Sequence, residues 1–272
     1  MNTYFTLCGD ARAKQFFKGF WQTDGLPEYQ SETILPTGVI ELIFNFSNPV
    51  PFRRKGQGSY ACTPKCFVSG ISDKPVQLDI QGQQVFFGVQ LHPASVKNLL
   101  NIPAGEFLNA ITDLEAISQT FSGLWQRLAA ADCFHSRVHI MQQWSVQHTP
   151  DISAQEMAIS DYSNSVQLAL TVNAQAAIFC YSTRQLHRKM QAYFGMSTEA
   201  MINYKRYVQA LHLMHQSNDS LTGIGYECMY YDQAHFIREF KGFTGITPGQ
   251  YRQQKSRLAG HLYNYNNVRY VQ

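Results

Sequence analysis

Two segments of the chain carry arginine, histidine and glutamine side chains in a pattern that could read DNA bases. An arginine guanidinium pairs in a bidentate way with guanine, and a glutamine amide pairs with adenine. Because these side chains recur at three- and four-residue intervals, a helix would place them opposite a buried apolar face. The candidate DNA-contacting residues are Arg184, Gln185, His187, Arg188, Gln233, His235, Arg238 and Lys241.

The two segments, 171–194 and 220–243, repeat each other in outline. Each is predicted to contain a helix, a tight break and a second helix that begins at a capping residue, Ser182 or Asp232. The second helices point an apolar stripe inward and the candidate DNA-contacting residues outward. The inward residues are Leu186, Met190 and Phe194 in the first segment, and Phe236, Phe240 and Phe243 in the second.

The second segment carries a recognisable signature. Tyr-Tyr-Asp-Gln-Ala-His-Phe-Ile-Arg-Glu-Phe-Lys at 230–241, followed by Thr-Gly-Ile-Thr-Pro-Gly-Gln-Tyr-Arg at 244–252, resembles the C-terminal motif of AraC/XylS-type transcriptional regulators. Residues 182–188 and 194–197 resemble the first unit of the same family. The resemblance covers roughly residues 165–253. It implies two helix-turn-helix units joined by a long helix over 198–216, with the two recognition helices in successive major grooves of double-stranded DNA.

Two turn residues depart from the family pattern. The family usually has glycine at the turn of each unit, where this chain has Cys180 and Met229. A residue with a side chain costs on the order of 1 kcal/mol at a positive φ angle. The two turns are therefore expected either to be slightly strained or to adopt another geometry, which would change the orientation of the helices but not the fold.

The first half of the chain is strand-rich. Residues 39–46 form a β-favouring run, residues 76–80 alternate with period two, and residues 85–91 supply a returning strand, which together predict a hairpin over 76–91. The apolar spacing between residues 114 and 128 is typical of an amphipathic helix. Segments 35–46, 68–70 and 88–93 resemble the poorly characterised, cupin-like N-terminal domain found ahead of some AraC-type DNA-binding domains.

These patterns predict an α+β protein. A β-rich, barrel-like N-terminal domain with packed helices would precede an all-α, double helix-turn-helix DNA-binding domain. We place the sensing or dimerisation domain at residues 1–150, a linker at 151–164, the DNA-binding domain at 165–255 and a C-terminal extension at 256–272.

Glu41 is the one charged residue of an otherwise apolar strand. Simple alternation would point it at solvent. Alternatively, it anchors a small effector in a cavity of the N-terminal domain, because ligand cavities combine apolar walls with a few polar groups. Phe87 would stand beside the predicted effector-binding residues, which are Glu41, Phe44, Phe46 and Phe86.

Charge and composition point to a polyanionic partner and exclude several classes of protein. Residues 1–162 contain 11 Lys and Arg against 14 Asp and Glu, whereas residues 163–272 contain 11 against 5. The basic half fits contact with nucleic acid. The start of the chain lacks the features of a signal peptide and no apolar stretch reaches membrane-spanning length, so a cytoplasmic protein without membrane contact is expected.

Neither catalysis nor a metal site is expected. The sequence contains no nucleophile elbow, phosphate-binding loop or dinucleotide fingerprint. Cys62 and Cys66 have ligand-like spacing, as do His135 and His139, but neither pair has the further ligands that a metal ion needs nearby in sequence. We therefore predict no cofactor and no enzymatic activity.

The sequence predicts a sequence-specific transcriptional regulator, controlled by a small effector or by dimerisation through its N-terminal domain. RNA polymerase and a second copy of the chain are the candidate protein partners. We expect an activator, although the residues alone leave activation and repression both open. The alternative is a ligand-binding or scaffolding protein that uses its helical half for protein contacts rather than for DNA.

Overall fold

A computed structural model describes residues 2–54, 58–148, 152–162 and 171–264. In these ranges the first half of the chain builds two antiparallel sheets, and the second half is helical. The strands are β1 Asn2–Leu7, β2 Phe17–Gly25, β3 Ser31–Ile34, β4 Ile40–Asn45, β5 Pro51–Arg54, β6 Ala61–Cys62, β7 Cys66–Ser69, β8 Val76–Asp79, β9 Gln84–Leu91, β10 Ile111–Asp113 and β11 His261–Asn264.

The strand order confirms the predicted α+β class. The larger sheet has the order β1-β2-β9-β4-β7-β10, and the smaller sheet has the order β11-β3-β8-β5-β6. Within the described residues the two sheets remain separate, so the barrel-like domain is not a closed barrel. Both sheets are built from short strands rich in β-branched and aromatic residues, the composition that suits a pleated, half-buried surface.

The helices fall into two groups. Among the described residues, four α-helices lie among or directly after the strands of the N-terminal half, and the others follow in the second half of the chain. The helix predicted between residues 114 and 128 is divided in two at Ser118. The helices are α1 Val96–Leu100, α2 Leu114–Ile117, α3 Thr120–Ala129, α4 Phe134–Ser145, α5 Ala154–Ser160, α6 Val172–Ile178, α7 Thr183–Phe194, α8 Thr198–Gln216, α9 Leu221–Glu227, α10 Gln233–Thr244 and α11 Pro248–Gln254.

An aromatic cluster joins the larger sheet to helix α4. Phe20, Phe44 and Phe87 come from three neighbouring strands, and Phe87 meets Phe134 of α4 at a centroid distance of 6.2 Å. The three strand residues are completely buried. Each buried aromatic ring removes a large apolar surface from water, so this cluster is a main source of stability for the N-terminal half.

The hairpin predicted over residues 76–91 is wrong. β8 pairs with β3 and β5 in the smaller sheet, whereas β9 pairs with β2 and β4 in the larger one. The turn itself is present, because Gly82 has a φ of 72°. It carries the chain from one sheet to the other, and alternation within each strand holds no information about which sheet it joins.

Two predicted segments contain regular secondary structure. Helix α5 lies within the predicted linker 151–164 and starts with a capping box formed by Ser153 and Glu156. Strand β11 lies within the predicted C-terminal extension and pairs with β3. The remaining parts of these two predictions, at 151, 163–164 and 265–272, lie outside the described residues.

The long helix α8 packs directly on the N-terminal half. The Tyr204 hydroxyl donates to the Ser72 carbonyl at 2.9 Å, and the Tyr207 hydroxyl donates to the Pro36 carbonyl at 3.0 Å. Both tyrosines are fully buried. Their hydroxyls satisfy carbonyls that would otherwise be desolvated, so the helical half has a defined docking position.

No helix within the described ranges combines the length and the apolar character that crossing a membrane would require.

Candidate nucleic-acid interface

The turns of the two helical units have the same geometry. Cys180 has a φ of 54° and Met229 a φ of 60°, so both residues adopt the left-handed backbone conformation at the position where the family usually has glycine. Each turn closes with the bond pattern of a Schellman motif, in which the residue after the positive φ donates its N–H to a carbonyl five residues earlier. From sequence we expected either slight strain at these two residues or a different turn geometry. The turns keep their geometry, so the expectation of strain is the correct one.

The capping residues predicted from sequence start helices α7 and α10, the two candidate recognition helices. The Ser182 side chain accepts the N–H of Gln185, and the Gln185 side chain reaches back to the Ser182 backbone. In the second unit the Asp232 carboxylate accepts the N–H of His235 at 2.7 Å. Both caps satisfy helix N–H groups that have no partner within the helix.

Helices α7 and α10 each bury one face and expose the other. Leu186, Met190 and Phe194 of α7 are buried, as are Phe236 and Phe240 of α10. These side chains form the apolar face of each unit, as the sequence predicted. The opposite face is exposed over most of its length.

Counting from the two N-caps places the exposed residues in register. Arg188 and Arg238 occupy the same helical position, directly opposite the buried stripe, and both are exposed. One turn earlier the two helices differ, because the equivalent residues are Arg184 and Ala234. The two units therefore share an arginine at one helical position and carry different residues at the position one turn earlier.

Seven of the eight predicted DNA-contacting residues are exposed, and His235 is partly buried. Gln185, Gln233 and His235 make contacts within their own unit, and the Gln233 amide oxygen accepts from the Thr222 hydroxyl at 3.3 Å. The Gln185 amide oxygen is held by the cap on Ser182. The His235 ring is partly buried, with Nε2 3.3 Å from a Glu239 oxygen and its edge against Tyr230. The exposed residues of the set are Arg184, Gln185, His187, Arg188, Gln233, Arg238 and Lys241.

A polar cluster around Glu239 fixes the position of helix α10. Arg206 of α8 reaches Glu239 at 3.4 Å, and its guanidinium lies 5.3 Å from the centre of the Tyr230 ring. Glu239 thus meets Arg206 and His235 together. This cluster ties α10 to the connecting helix, so the orientation of α10 relative to α7 depends on α8.

Lys189 points away from the exposed face of α7. Its ammonium is bonded to Glu156 of α5, which also accepts a hydrogen bond from the Tyr193 hydroxyl at 3.0 Å. The Lys189 ammonium is the main reason that the pKa of Glu156 falls to about 2. Lys189 therefore serves to join the first recognition helix to α5, a role that the sequence left open.

Sequence reasoning missed two tyrosines beside the second recognition helix. Tyr231 is 92% exposed and Tyr226 is 86% exposed, values unusual for aromatic residues. Ala234 was also missed, because an alanine on an exposed face carries no chemical signal of its own. Helical spacing from Arg238 would have found Ala234, since residues four apart share a face.

The predicted effector residues are divided between two faces of the larger sheet. Glu41 pairs across the strands with Gln90, and Phe44 pairs with Phe87. Because side chains alternate along a strand, Glu41 and Phe44 point in opposite directions. The prediction that they line one cavity is therefore corrected: Phe44 belongs to the aromatic cluster with Phe87.

Phe46 and Phe86 are also separated. Phe46 packs against Trp125, with the Arg137 guanidinium 4.5 Å from the centre of its ring. Phe86 shares a sheet face with Gln90 and Glu41, and it keeps some exposed surface. Of the predicted aromatic residues, Phe86 alone lies on the face of Glu41.

Glu41 is held by two neutral donors. Its Oε1 atom accepts from Trp21 Nε1 at 2.8 Å and from Gln90 Nε2 at 3.2 Å. Burial raises the pKa of Glu41, and the two hydrogen bonds and the nearby His261 only partly offset that effect. His261 belongs to β11, so Glu41 faces the smaller sheet rather than solvent. The residue as a whole nevertheless keeps some accessible surface.

Among the described residues, no three His, Cys, Asp or Glu side chains are grouped so that they could hold a metal ion.

Comparison with known families assigns domains to most of this architecture. Residues 175–254 match the family described as "Helix-turn-helix domain", and residues 11–113 match a domain of unknown function, DUF6597. The chain is 35% identical over 85 residues to the HTH-type transcriptional activator RhaS of Escherichia fergusonii, and 32% identical over 78 residues to RhaS of an Enterobacter species. The first alignment covers 31% of this chain and 31% of RhaS. The chain thus spans about a third of the length of the curated relatives it matches.

Solved structures of similar arrangement include ToxT from Vibrio cholerae, with 12% sequence identity, a TM-score of 0.47 and coverage of 86% of this chain and 98% of ToxT. The DNA-binding domain of AdpA in complex with a target DNA has 20% identity and a TM-score of 0.34, over 37% of this chain and 92% of that domain. From the sequence matches, residues 175–254 are a helix-turn-helix domain of the AraC type.

Proposed function

We propose that this chain is a sequence-specific DNA-binding regulator of transcription, with α7 and α10 as its two recognition helices. The observation that carries the proposal is the matched pair of exposed arginines, Arg188 and Arg238, each opposite the buried stripe of a capped helix. An arginine in the major groove forms two hydrogen bonds to guanine. Two such helices read two separate half-sites.

The connecting helix has a length that suits successive major grooves. Helix α8 contains 19 residues, which corresponds to about 28 Å. Successive major grooves on one face of B-DNA are about 34 Å apart. With the short turns at either end of α8, the two recognition helices can enter grooves one helical turn apart.

The charge distribution supports contact with the DNA backbone. The excess of Lys and Arg lies in residues 163–272, and Arg184, Arg188, Arg238 and Lys241 are exposed there. Phosphate contacts from such side chains release counterions and provide most of the affinity that is independent of sequence. The mildly acidic N-terminal half would not add to this attraction.

We further propose that the N-terminal half regulates DNA binding through a small effector. Glu41, Trp21, Gln90 and Phe86 share one face of the larger sheet, toward the smaller sheet, and the first three form a hydrogen-bonded group. A carboxylate between an aromatic wall and an amide suits a ligand with a cationic or hydrogen-bond-donating group. The ligand-bound state would then act on the docked α8.

The relatives named as transcriptional activators support positive regulation. We further propose that the protein acts in the cytoplasm with RNA polymerase as its protein partner. A second copy of the chain, held through the N-terminal half, is a further proposed partner. No catalytic step belongs to this function.

Selection of bound duplexes from a random pool by the full chain tests the proposal. We expect a recovered motif with two half-sites about one helical turn apart, and a logarithm of Kd that rises steeply with the logarithm of salt concentration. Recovery of no motif, with weak dependence on salt, would favour the alternative of a protein-contacting scaffold.

A further inference from the structure

The turn of the second unit is one residue longer than the turn of the first. One residue separates Cys180, with its positive φ, from the N-cap Ser182. Two residues separate Met229, with its positive φ, from the N-cap Asp232. Since the turn geometry is otherwise the same, the second unit contains an additional residue immediately before its recognition helix.

Tyr231 is that additional residue. Tyr230 is the equivalent of Tyr181, because each donates its N–H to the carbonyl five residues earlier, with N–O distances of 2.9 and 3.0 Å. Tyr230 is only 5% exposed and packs on Phe236 at 5.1 Å. Tyr231, by contrast, is 92% exposed and adds nothing to the core.

The location of Tyr231 points to a role for its exposed side chain. In helix-turn-helix proteins the N-terminal end of the recognition helix approaches the bases, and the helix before it crosses the DNA backbone. Tyr231 lies between these two helices, next to the capped end of α10. A tyrosine hydroxyl is among the side-chain groups that bond phosphate oxygens.

We propose that Tyr231 contacts the DNA backbone at the edge of the half-site read by α10, where its hydroxyl donates a hydrogen bond to a phosphate oxygen. This inference rests on the proposed function. The first unit has no residue at this position, so the contact makes the two units unequal. It fixes the position of the second recognition helix on the duplex without reading a base itself.

The electrical neutrality of tyrosine distinguishes this contact from those of arginine and lysine. A cationic side chain that binds phosphate releases counterions, and its removal lowers the dependence of affinity on salt. A neutral hydroxyl releases none. Loss of the Tyr231 contact should therefore weaken binding by the same factor at every salt concentration and for every sequence.

The test uses the full chain and the duplex that it selects from a random pool. We expect Tyr231→Phe to raise Kd about five- to tenfold, the value of one net hydrogen bond of about 1 kcal/mol or slightly more. Tyr231→Ala should raise Kd at least as much. In both variants the slope of log Kd against log salt and the preference at each base pair should match those of the unchanged chain.

Tyr60→Ala is the matched control, because Tyr60 is an exposed tyrosine of the N-terminal half. It should leave Kd unchanged, and circular dichroism should show that all variants are folded. Wild-type affinity in both Tyr231 variants would overturn the inference, as would a loss confined to Tyr231→Ala, which would assign the contact to the ring alone. Unchanged binding with lost transcription would overturn it in favour of a protein partner. Failure of the unchanged chain to select any sequence would instead overturn the proposed function.

Discussion

The Nδ1 atom of His261 lies 2.5 Å from a carboxylate oxygen of Glu32. This pair joins a residue that follows the C-terminal helices to a strand of the N-terminal half. Nearby, the Tyr263 ring stacks on Tyr29 at a centroid distance of 4.1 Å, and β11 pairs with β3 over four residues. The smaller sheet is therefore completed by residues from the far end of the chain.

A chain that ends at Leu258 should unfold at a lower urea concentration than the full chain. It loses the ladder of β11 with β3, the stack of Tyr263 on Tyr29 and the pairing of His261. A few net hydrogen bonds and one aromatic pair, each of about 1 kcal/mol, predict a loss of about 2–4 kcal/mol in the free energy of unfolding. A chain that ends at Asn264 keeps the strand and is the control. Equal midpoints for the two shortened chains would show that β11 contributes nothing.

The pairing of Glu156 with Lys189 should make stability depend on pH. The Lys189 ammonium holds the pKa of Glu156 at about 2 in the folded chain, below a typical unfolded value of about 4.3. Such a group stabilises the fold above the unfolded pKa, and this contribution disappears as the pH falls through the folded pKa.

Glu156→Gln should therefore be less stable than the unchanged chain at pH 7, by about 1 kcal/mol because the pair is partly exposed and screened by solvent. The difference should shrink between pH 4.5 and pH 2, which urea titrations at several pH values can follow. Glu28→Gln, at an exposed glutamate, serves as the control. A difference that stays constant over this range would contradict the assignment.

Glu41→Gln should keep the melting temperature at pH 7 or raise it. Burial raises the pKa of Glu41, so the charged form costs stability as the pH rises through the folded value, whereas glutamine is neutral and still accepts from Trp21 and Gln90. The gain should be absent at pH 4 and present at pH 8. In a thermal-shift screen of metabolites, the variant should lose any shift caused by a cationic ligand.

That screen should use the full chain, because residues 1–150 alone lack β11. Unfolding of Glu41→Gln at pH 7 would identify Glu41 as a structural partner of Trp21, and the effector site would have to lie elsewhere.

Substitutions in one recognition helix should change the base preference of one half-site and leave the other half-site unchanged. Arg184→Ala should lower affinity by about 1–3 kcal/mol and relax the preference for guanine in the first half-site only. Ala234→Arg should create a guanine preference in the second. Arg238→Ala should act about one helical turn from the position read by Arg184.

Selections with each variant would measure these changes, and Arg53→Ala, at an exposed arginine of the N-terminal sheet, is the control. Loss at the same base pair in Arg184→Ala and Arg238→Ala would contradict the arrangement in two grooves.

Cys180→Gly and Met229→Gly should each stabilise the protein. Both residues have a positive φ, which glycine adopts without strain, and both are at least partly exposed, so little packing is lost. Glycine also gains freedom in the unfolded chain, which reduces the benefit to about 0.5–1 kcal/mol. Cys62→Gly, at an exposed strand position, should destabilise instead. Urea unfolding would separate these outcomes, and a loss of stability in both turn variants would contradict the strain.

The sequence alone determined the helical units in detail. Ser182 and Asp232 mark helix starts through local hydrogen bonds, and the apolar spacing from Leu186 and Phe236 defines the buried faces. These features depend on residues within one or two turns of each other. For this reason the caps and the buried faces follow from local sequence patterns, whereas the helix 198–216 and the positions of the two turns were expected from the resemblance to AraC/XylS-type regulators.

Only the tertiary structure decided how the strands are shared between the sheets. Alternation shows that residues 76–80 and 85–91 are strands, but the choice of partner depends on residues far away in sequence. The same holds for β11, whose pairing with β3 joins His261 to Glu32. Strand pairing of this kind is stabilised by contacts that no local pattern records.

The candidate sites divide in the same way. The sequence identified Arg188 and Arg238 as exposed, and the predicted caps already set Arg184 against Ala234. The turn geometry that leaves Tyr231 as an additional residue came from the three-dimensional structure. For the effector residues, the opposite faces of Glu41 and Phe44 follow from alternation alone. Both faces of this central strand are covered, one by helices and the other by the second sheet. Only the packing decides which face meets which, because the sequence of a strand does not specify the elements that pack on it.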